Sequence, residues 1–230
     1  MFVASGGEDN VVCCSDILKK QPVATLKKAH QKAVKAVEWT GDGRFIVSGD
    51  KGGFVVVWNP FSDQWQKRAL PDKSPIACIS TSPTRKDIVA IGLDGGDILV
   101  CQANMGHVVV RHRLHGHSDR IQSLSWQPPP ETQTQDYTLL ASGAGDLTVR
   151  IWDIEKESST RVFRSPDVDE RISSQLRSKA WVPVAWTSQG HELLSSTVRT
   201  FHKDKGWNYT QPCRIPAFSI SMDRNVLHGI

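Results

Sequence analysis

Three residue types that could form a hydrolytic triad lie close to one tryptophan in this chain. Ser142 lies ten residues before Trp152 and Asp146 six residues before it, and His117 precedes all three. A nucleophilic serine needs an exposed, strained turn beside an oxyanion site, and the sequence contains no Gly-x-Ser-x-Gly motif. We therefore predict no catalytic residue. We interpret His117, Ser142, Asp146 and Trp152 as a buried hydrogen-bonded tetrad that satisfies polar groups within a sheet.

A group of histidines just before this set could instead suggest a metal centre. His112, His115 and His117 occur close together, but no cysteine or carboxylate set with zinc spacing accompanies them. We interpret this stretch as an outer strand followed by the tetrad histidine. We predict no metal, no cofactor and no small-molecule substrate.

A tryptophan with cations around it is the pattern best suited to nucleic acid. Trp181 lies five residues before the end of its predicted strand, where three other predicted strands have an aliphatic residue. An indole can stack on a base while cations hold its phosphates. The alternative is that Trp181 only packs between sheets. The candidate RNA-binding and cap-binding residues are Trp181, Arg224, Lys179, Arg120 and Lys32.

The serine-to-tryptophan frame around Trp152 recurs along the chain. Its anchor positions Ser15, Trp58 and Cys101 are 43 residues apart, and Trp152 follows after 51. Each repeat contains alternating or β-branched strands bounded by Gly, Asp or Pro. A period of this length with a terminal Trp-Asp is typical of a WD-repeat β-propeller. We predict an all-β, incomplete WD-repeat β-propeller of about five blades, with the first and last partial.

The repeat frame divides the chain into consecutive blades. We predict a single partial propeller over 1–230, with blades at about 1–29, 30–70, 71–112, 113–165 and 166–210 and the start of another at 211–230. A seven-bladed ring needs roughly 300 residues, so we expect a fragment of a larger propeller. We expect Glu155–Lys179 to be a polar, mobile excursion, and between Arg199 and Pro216 the pattern breaks and supports no strand prediction.

The composition of the chain limits the classes of function that it can have. The formal net charge is +4 and the pI about 8.8, which permits RNA binding without requiring it. Five cysteines without a Cys-x-x-Cys pair suggest reduced thiols in an intracellular protein. No apolar stretch reaches transmembrane length, so we predict no membrane partner.

Several runs of sequence resemble the amino-terminal propeller of the Gemin-five family, and the resemblance spans nearly the whole chain. The more specific runs are Trp181-Val182-Pro183-Val184-Ala185-Trp186 and Met222-Asp223-Arg224. Partly generic ones are Asp87-Ile88-Val89-Ala90-Ile91-Gly92 and Arg120-Ile121-Gln122-Ser123-Leu124-Ser125-Trp126.

The resemblance implies a function. Members of that family are the RNA-recognising subunit of the survival-of-motor-neuron (SMN) complex. They bind the uridine-rich Sm site and the 7-methylguanosine cap of spliceosomal small nuclear RNAs. By resemblance, Trp181 matches the tryptophan that stacks on the cap base and Arg224 an arginine on the RNA-binding face, whereas Arg120 replaces an acidic base-contacting residue.

From the resemblance we expect small nuclear RNA and SMN complex proteins as partners, and a cytoplasmic and nuclear location. The alternative function is a protein-interaction scaffold that binds peptides on the same face.

Overall fold

The computed structural model describes residues 1–62, 64–104, 107–129, 139–164, 182–187, 192–195, 198–202, 206–209 and 213–216, and all regular structure in them is β-strand. The strands form small antiparallel sheets that follow one another along the chain. This arrangement agrees with the predicted all-β fold class. The chain divides into two compact units, Met1–Ile121 and Gln122–Ile230. The described residues include no helix long and apolar enough to cross a membrane.

The first unit contains three sheets. The first sheet has the order β1 (Phe2–Gly6), β2 (Val12–Asp16), β3 (Gln21–Leu26). The second is formed by β4 (Val34–Trp39), β5 (Ile46–Asp50), β6 (Phe54–Asn59) and β7 (Gln64–Ala69), and the third by β8 (Ile76–Thr81), β9 (Ile88–Leu93), β10 (Ile98–Ala103) and β11 (Val108–Leu114).

The second unit contains the remaining strands, except that Ile121, the first residue of β12, belongs to the first unit. The fourth sheet is formed by β12 (Ile121–Trp126), β13 (Leu139–Ala144), β14 (Thr148–Asp153) and β15 (Ser158–Arg164). The fifth has the order β16 (Val184–Trp186), β17 (Glu192–Ser195), β20 (Cys213–Pro216), and β18 (Val198–His202) pairs with β19 (Gly206–Tyr209).

Two stretches contain strands that the sequence analysis did not predict. The stretch Glu155–Lys179 contains β15, whose residues are mostly exposed because it is the outermost strand of its sheet. Between Arg199 and Pro216 the hairpin β18–β19 interrupts the repeat, and β20 then pairs with β17 as the third strand. Periodicity missed both features, because an outer strand is polar and an inserted hairpin shifts the frame.

Successive sheets approach so closely that one glycine in each has no room for a side chain. A Cβ built on Gly49 would lie 2.5 Å from Ile76 Cγ2, and one on Gly92 would lie 2.6 Å from Ile121 Cγ2. Gly6 meets Val34 in the same way. These glycines follow the serine position of the repeat, and the facing aliphatic residue begins the first strand of the next sheet.

Successive side chains of a strand point to opposite faces of its sheet, so the two faces of the first sheet have different surroundings. Val12 and Cys14 of β2 belong to the apolar cluster that includes Val56 and Trp58 of the second sheet. Their neighbours Cys13 and Ser15 lie on the other side of β2 and are half-buried among polar groups. Thr25 Oγ1 lies 3.9 Å from Cys13 Sγ. At the repeat positions where the second sheet buries Val56 and Trp58, the first sheet therefore presents small polar side chains.

We predict that Gly49→Ala destabilises the protein, because the added methyl group must displace Ile76 or separate the second and third sheets. Overpacking of this kind costs about 1–3 kcal/mol. The measurement is the free energy of unfolding from urea denaturation. The matched control is Gly95→Ala, whose Cβ would have Ser74 Oγ as its nearest neighbour at 3.7 Å. Equal stability of the two variants would contradict the close-contact interpretation.

Candidate nucleic-acid interface

The antiparallel register brings charged loops together at one end of the sheets in the first unit. Val34 pairs with Asp50 and Ile76 pairs with Leu93, so each first strand begins beside the turn between the second and third strands. The two turns are tied to the preceding loops, because Lys51 N donates to Ala33 O (3.0 Å) and Asp94 N donates to Pro75 O (3.0 Å). We call this end the cation face and define it by Glu8, Lys32, Lys35, Lys51, Asp94 and Arg120.

Three lysines of the cation face come from the second sheet and its loops. A Cβ built on Gly52 would lie 3.5 Å from Lys32 Cδ, so the aliphatic part of Lys32 lies beside the turn that carries Lys51. Lys35 Nζ and Lys51 Nζ lie 2.5 Å and 3.4 Å from the same oxygen, Glu8 Oε1 of the first sheet's turn. The hydrogen bond with Lys35 is the main cause that lowers the pKa of Glu8, so this carboxylate is ionised near neutral pH.

Arg120 lies at the start of β12 and is paired across the loops. Its Nε lies 2.9 Å from Asp94 Oδ1, and both side chains are roughly half-exposed. The charge of Arg120 also opposes the rise in the pKa of Lys35 that Glu8 causes. Arg120 therefore acts electrostatically on the lysine group as well as on Asp94.

The histidine-rich stretch lies outside the cation face as defined here. His112 is in β11, and His115 Nδ1 lies 2.7 Å from Asp97 Oδ1. Asp97 also pairs with Arg113, whose guanidinium contacts Asp72 as well. Within the described ranges, no group of three or more His, Cys, Asp or Glu side chains is placed to hold a metal ion.

The tetrad residues predicted around Trp152 are buried or half-buried. Trp152 Nε1 donates to Ser142 Oγ at 2.7 Å, and both residues are fully buried. Asp146 Oδ1 accepts from the backbone and hydroxyl of Thr148 (3.0 and 2.7 Å). His117 is buried in the first unit.

The second sheet contains a polar network that sequence reasoning missed. His30 Nδ1 lies 2.8 Å from Asp50 Oδ2, and His30 Nε2 lies 2.8 Å from Ser48 Oγ. A neutral ring protonated on Nδ1 donates to Asp50 and accepts from Ser48. The repeat frame places the aspartate six residues before Trp58, where this sheet has a glycine. Ser48 and His30 were the sequence signal for this network. Its carboxylate comes from Asp50, two residues before the position where the repeat frame expects the aspartate.

Asp50 also shapes the turn that carries Lys51. Its Oδ1 accepts hydrogen bonds from the backbone N–H groups of Gly52 (2.7 Å) and Phe54 (3.1 Å). The buried network and the exposed lysine therefore share one carboxylate-organised turn.

Of the predicted RNA-binding residues, Lys32 and Arg120 belong to the cation face, whereas Trp181, Lys179 and Arg224 lie outside the described residues. Val182, next to Trp181, is buried and anchored to β12. Its N–H donates to Gln122 Oε1 (2.7 Å), and its carbonyl accepts from Ser123 Oγ (2.8 Å).

Val182 also meets Gly143 of the fourth sheet. A Cβ built on Gly143 would lie closest to the backbone oxygen of Val182 and 3.0 Å from its Cγ1, so Val182 covers this glycine chiefly with its backbone, whereas Gly49 and Gly92 meet isoleucine side chains.

We predict that His30 makes the stability depend on pH. Burial is the main cause that lowers its pKa below the ordinary value of 6.5, although Asp50 opposes this. Below pH 6.5 the unfolded chain takes up a proton that the folded chain excludes. The contribution of neutral His30 is therefore complete above about pH 6.5 and is lost as the pH falls towards the folded-state pKa.

The measurement compares the free energy of unfolding of the wild type and His30→Gln between pH 7.5 and 5. The free energy of unfolding should change more steeply with pH in the wild type than in His30→Gln, by at most about 1.4 kcal/mol per pH unit for one group. Identical slopes would show that His30 titrates alike in the folded and unfolded chains.

Comparisons with known proteins are consistent with this architecture. A model of the RIG first beta-propeller family matches residues 43–142, and a model of the WD domain, G-beta repeat, matches residues 20–59. The chain is 26% identical to Gem-associated protein 5 from Homo sapiens over 223 residues and to that from Mus musculus over 224. It is 28% identical over 168 residues to a guanine nucleotide-binding protein subunit beta from Nicotiana tabacum.

Coverage differs between these relatives. The two Gem-associated matches cover 84% of this chain but 15% of the relatives' own length. The Nicotiana tabacum match covers 68% of this chain and 39% of that relative. These comparisons confirm the predicted fold class and the resemblance drawn from the sequence: the chain is a WD-repeat β-propeller protein that is similar to Gem-associated protein 5.

Proposed function

We propose that this chain binds RNA and recognises spliceosomal small nuclear RNA, through the Sm site and the 7-methylguanosine cap, for assembly of small nuclear ribonucleoproteins with the SMN complex. The observation that carries the proposal is the cation face, where Lys32, before β4, and Arg120, before β12, lie on exposed loops at one end of the first unit. Exposed cations could bind any polyanion, and the similarity to Gem-associated protein 5 is the reason for proposing RNA.

The cation face supplies charge, and Trp181 supplies the base contact in this proposal. Lysine and arginine bind phosphates whatever the base sequence, whereas an aromatic face stacks on a base. A methylated guanine is cationic and is attracted to an indole.

Arg120 has a different role from the acidic residue at this position in the family. A guanidinium donates hydrogen bonds and accepts none, so it suits a phosphate better than the donor groups of a base. The protein acts as a binding platform in the cytoplasm and nucleus, with no catalytic step of its own.

A peptide-binding scaffold is the second candidate function. It is favoured by the similarity to guanine nucleotide-binding protein beta subunits over 68% of this chain. Dependence of binding on salt separates the two, since phosphate contacts weaken steeply with salt and an apolar peptide groove responds little.

We predict that Lys32→Ala and Trp181→Ala weaken RNA binding in different ways. Fluorescence anisotropy would compare capped and uncapped Sm-site RNA between 50 and 200 mM NaCl. Lys32→Ala should weaken binding to both RNAs equally and reduce the salt slope by about 0.7, as expected for one lost contact to single-stranded RNA. Trp181→Ala should remove the preference for capped RNA, at a cost of about 1–3 kcal/mol for one stacked base.

The matched control is Lys19→Ala, which removes one charge from the turn between β2 and β3, at the other end of the first sheet. Its affinity and salt slope should equal those of the wild type. No binding of either RNA by folded wild-type protein would contradict the proposal and favour the peptide scaffold.

A further inference from the structure

Two carboxylates of the cation face form ion pairs with cations that belong to other sheets or loops than their own. Glu8 follows β1, yet its Oε1 contacts Lys35 of β4 at 2.5 Å and Lys51 after β5 at 3.4 Å. Asp94 follows β9 and pairs with Arg120 immediately before β12. Both carboxylates therefore gather cations at the turns where the proposed RNA backbone would run.

This geometry resembles the contact that a phosphate oxygen makes. In the Glu8 group one anionic oxygen lies close to two ammonium groups, and lysine binds carboxylate and phosphate oxygens with the same donors. The side chain of Glu8 is 70% exposed and that of Lys51 is 51% exposed, so a ligand in solution can reach the oxygen's position.

We propose that Glu8 and Asp94 occupy the places that RNA phosphates take, so that Lys35 and Lys51 together with Arg120 form a phosphodiester-binding site and the carboxylates are competitors that RNA must displace. The inference rests on the proposed RNA-binding function. It adds Lys35 and Lys51 to the binding residues and assigns Glu8 and Asp94 a selective role.

The weakness of exposed ion pairs makes the exchange feasible. Pairs of this kind contribute about 0–1 kcal/mol and are screened by salt. A polyanion that offers several phosphates at once can therefore replace both carboxylates, whereas an isolated anion gains little from replacing one. The carboxylates thereby lower the affinity for short or weakly charged ligands more than for a continuous RNA strand.

The alternative is that Glu8 and Asp94 only pin neighbouring sheets together. The two interpretations predict opposite effects of neutralisation. A pinning carboxylate, once neutralised, loosens the loops and leaves phosphate binding unchanged or weaker. A competing carboxylate, once neutralised, releases its cations for phosphate and strengthens binding.

The experiment measures the affinity of the intact chain for 5′-fluorescein-labelled decauridylate at 50, 100 and 200 mM NaCl. Glu8→Gln and Asp94→Asn should each bind it up to about fivefold more tightly than the wild type at 50 mM NaCl, which corresponds to the loss of one exposed ion pair. The slope of log affinity against log salt should become steeper by about 0.7 for each cation released.

Two further variants make the test specific to position. Asp42→Asn removes one negative charge from the turn between β4 and β5, at the other end of the second sheet, and should bind as the wild type does. Glu8→Gln combined with Lys35→Ala and Lys51→Ala should lose the gain shown by Glu8→Gln alone.

Tripolyphosphate, titrated by calorimetry, separates failure of this inference from failure of the proposed function. Tighter binding of tripolyphosphate to Glu8→Gln, in a protein that binds no RNA, would support the exchange and reject the RNA function. Unchanged or weaker binding of both probes by folded Glu8→Gln and Asp94→Asn would overturn the exchange. Equal gains in Asp42→Asn would overturn it as well, because net charge alone would then explain the effect.

Discussion

The contact between a glycine in one sheet and an aliphatic residue in the next is the constraint on which the rest of this structure depends. Gly49 faces Ile76 and Gly92 faces Ile121 so closely that no Cβ fits. The backbone of one sheet therefore rests directly on the first strand of the next. Interiors packed at this density do not deform continuously, so the contact fixes the separation and rotation of neighbouring sheets within a unit.

That spacing determines where the charged loops lie. Once the start of β4 is fixed against the first sheet, Lys35 comes within reach of Glu8. The start of β12 stands in the same relation to the third sheet, and Arg120 reaches Asp94. The positions of the cation-face residues therefore result from the apolar packing between the sheets. The exposed ion pairs are a consequence of that packing and contribute little to it.

The repeated part of the fold could be predicted from the sequence, because a 43-residue period marks the same strand in each sheet. Strands remained unpredicted where this periodicity is absent. The outer strand β15 is mostly solvent-exposed and carries no apolar alternation, and the hairpin β18–β19 is an insertion in the frame.

The candidate site was predictable in part. Lys32 and Arg120 could be placed because loops before first strands share one end of the sheets. The pairing of Lys35 and Lys51 with Glu8 could not, since it joins residues 27 and 43 positions apart through side-chain conformations alone. Asp50 escaped notice for a similar reason, because it performs its role from outside the expected position of the repeat. For Trp181 the sequence prediction stands untested.

The packing of Val12 and Cys14 against the second sheet has a consequence for synthesis. The first sheet leaves the ribosome before the second sheet that covers these two residues. Until then their side of β2 lacks its cover, whereas Cys13, Ser15 and Thr25 make polar contacts with one another. The segment translated next provides the missing cover, so this apolar cluster is completed in the direction of translation.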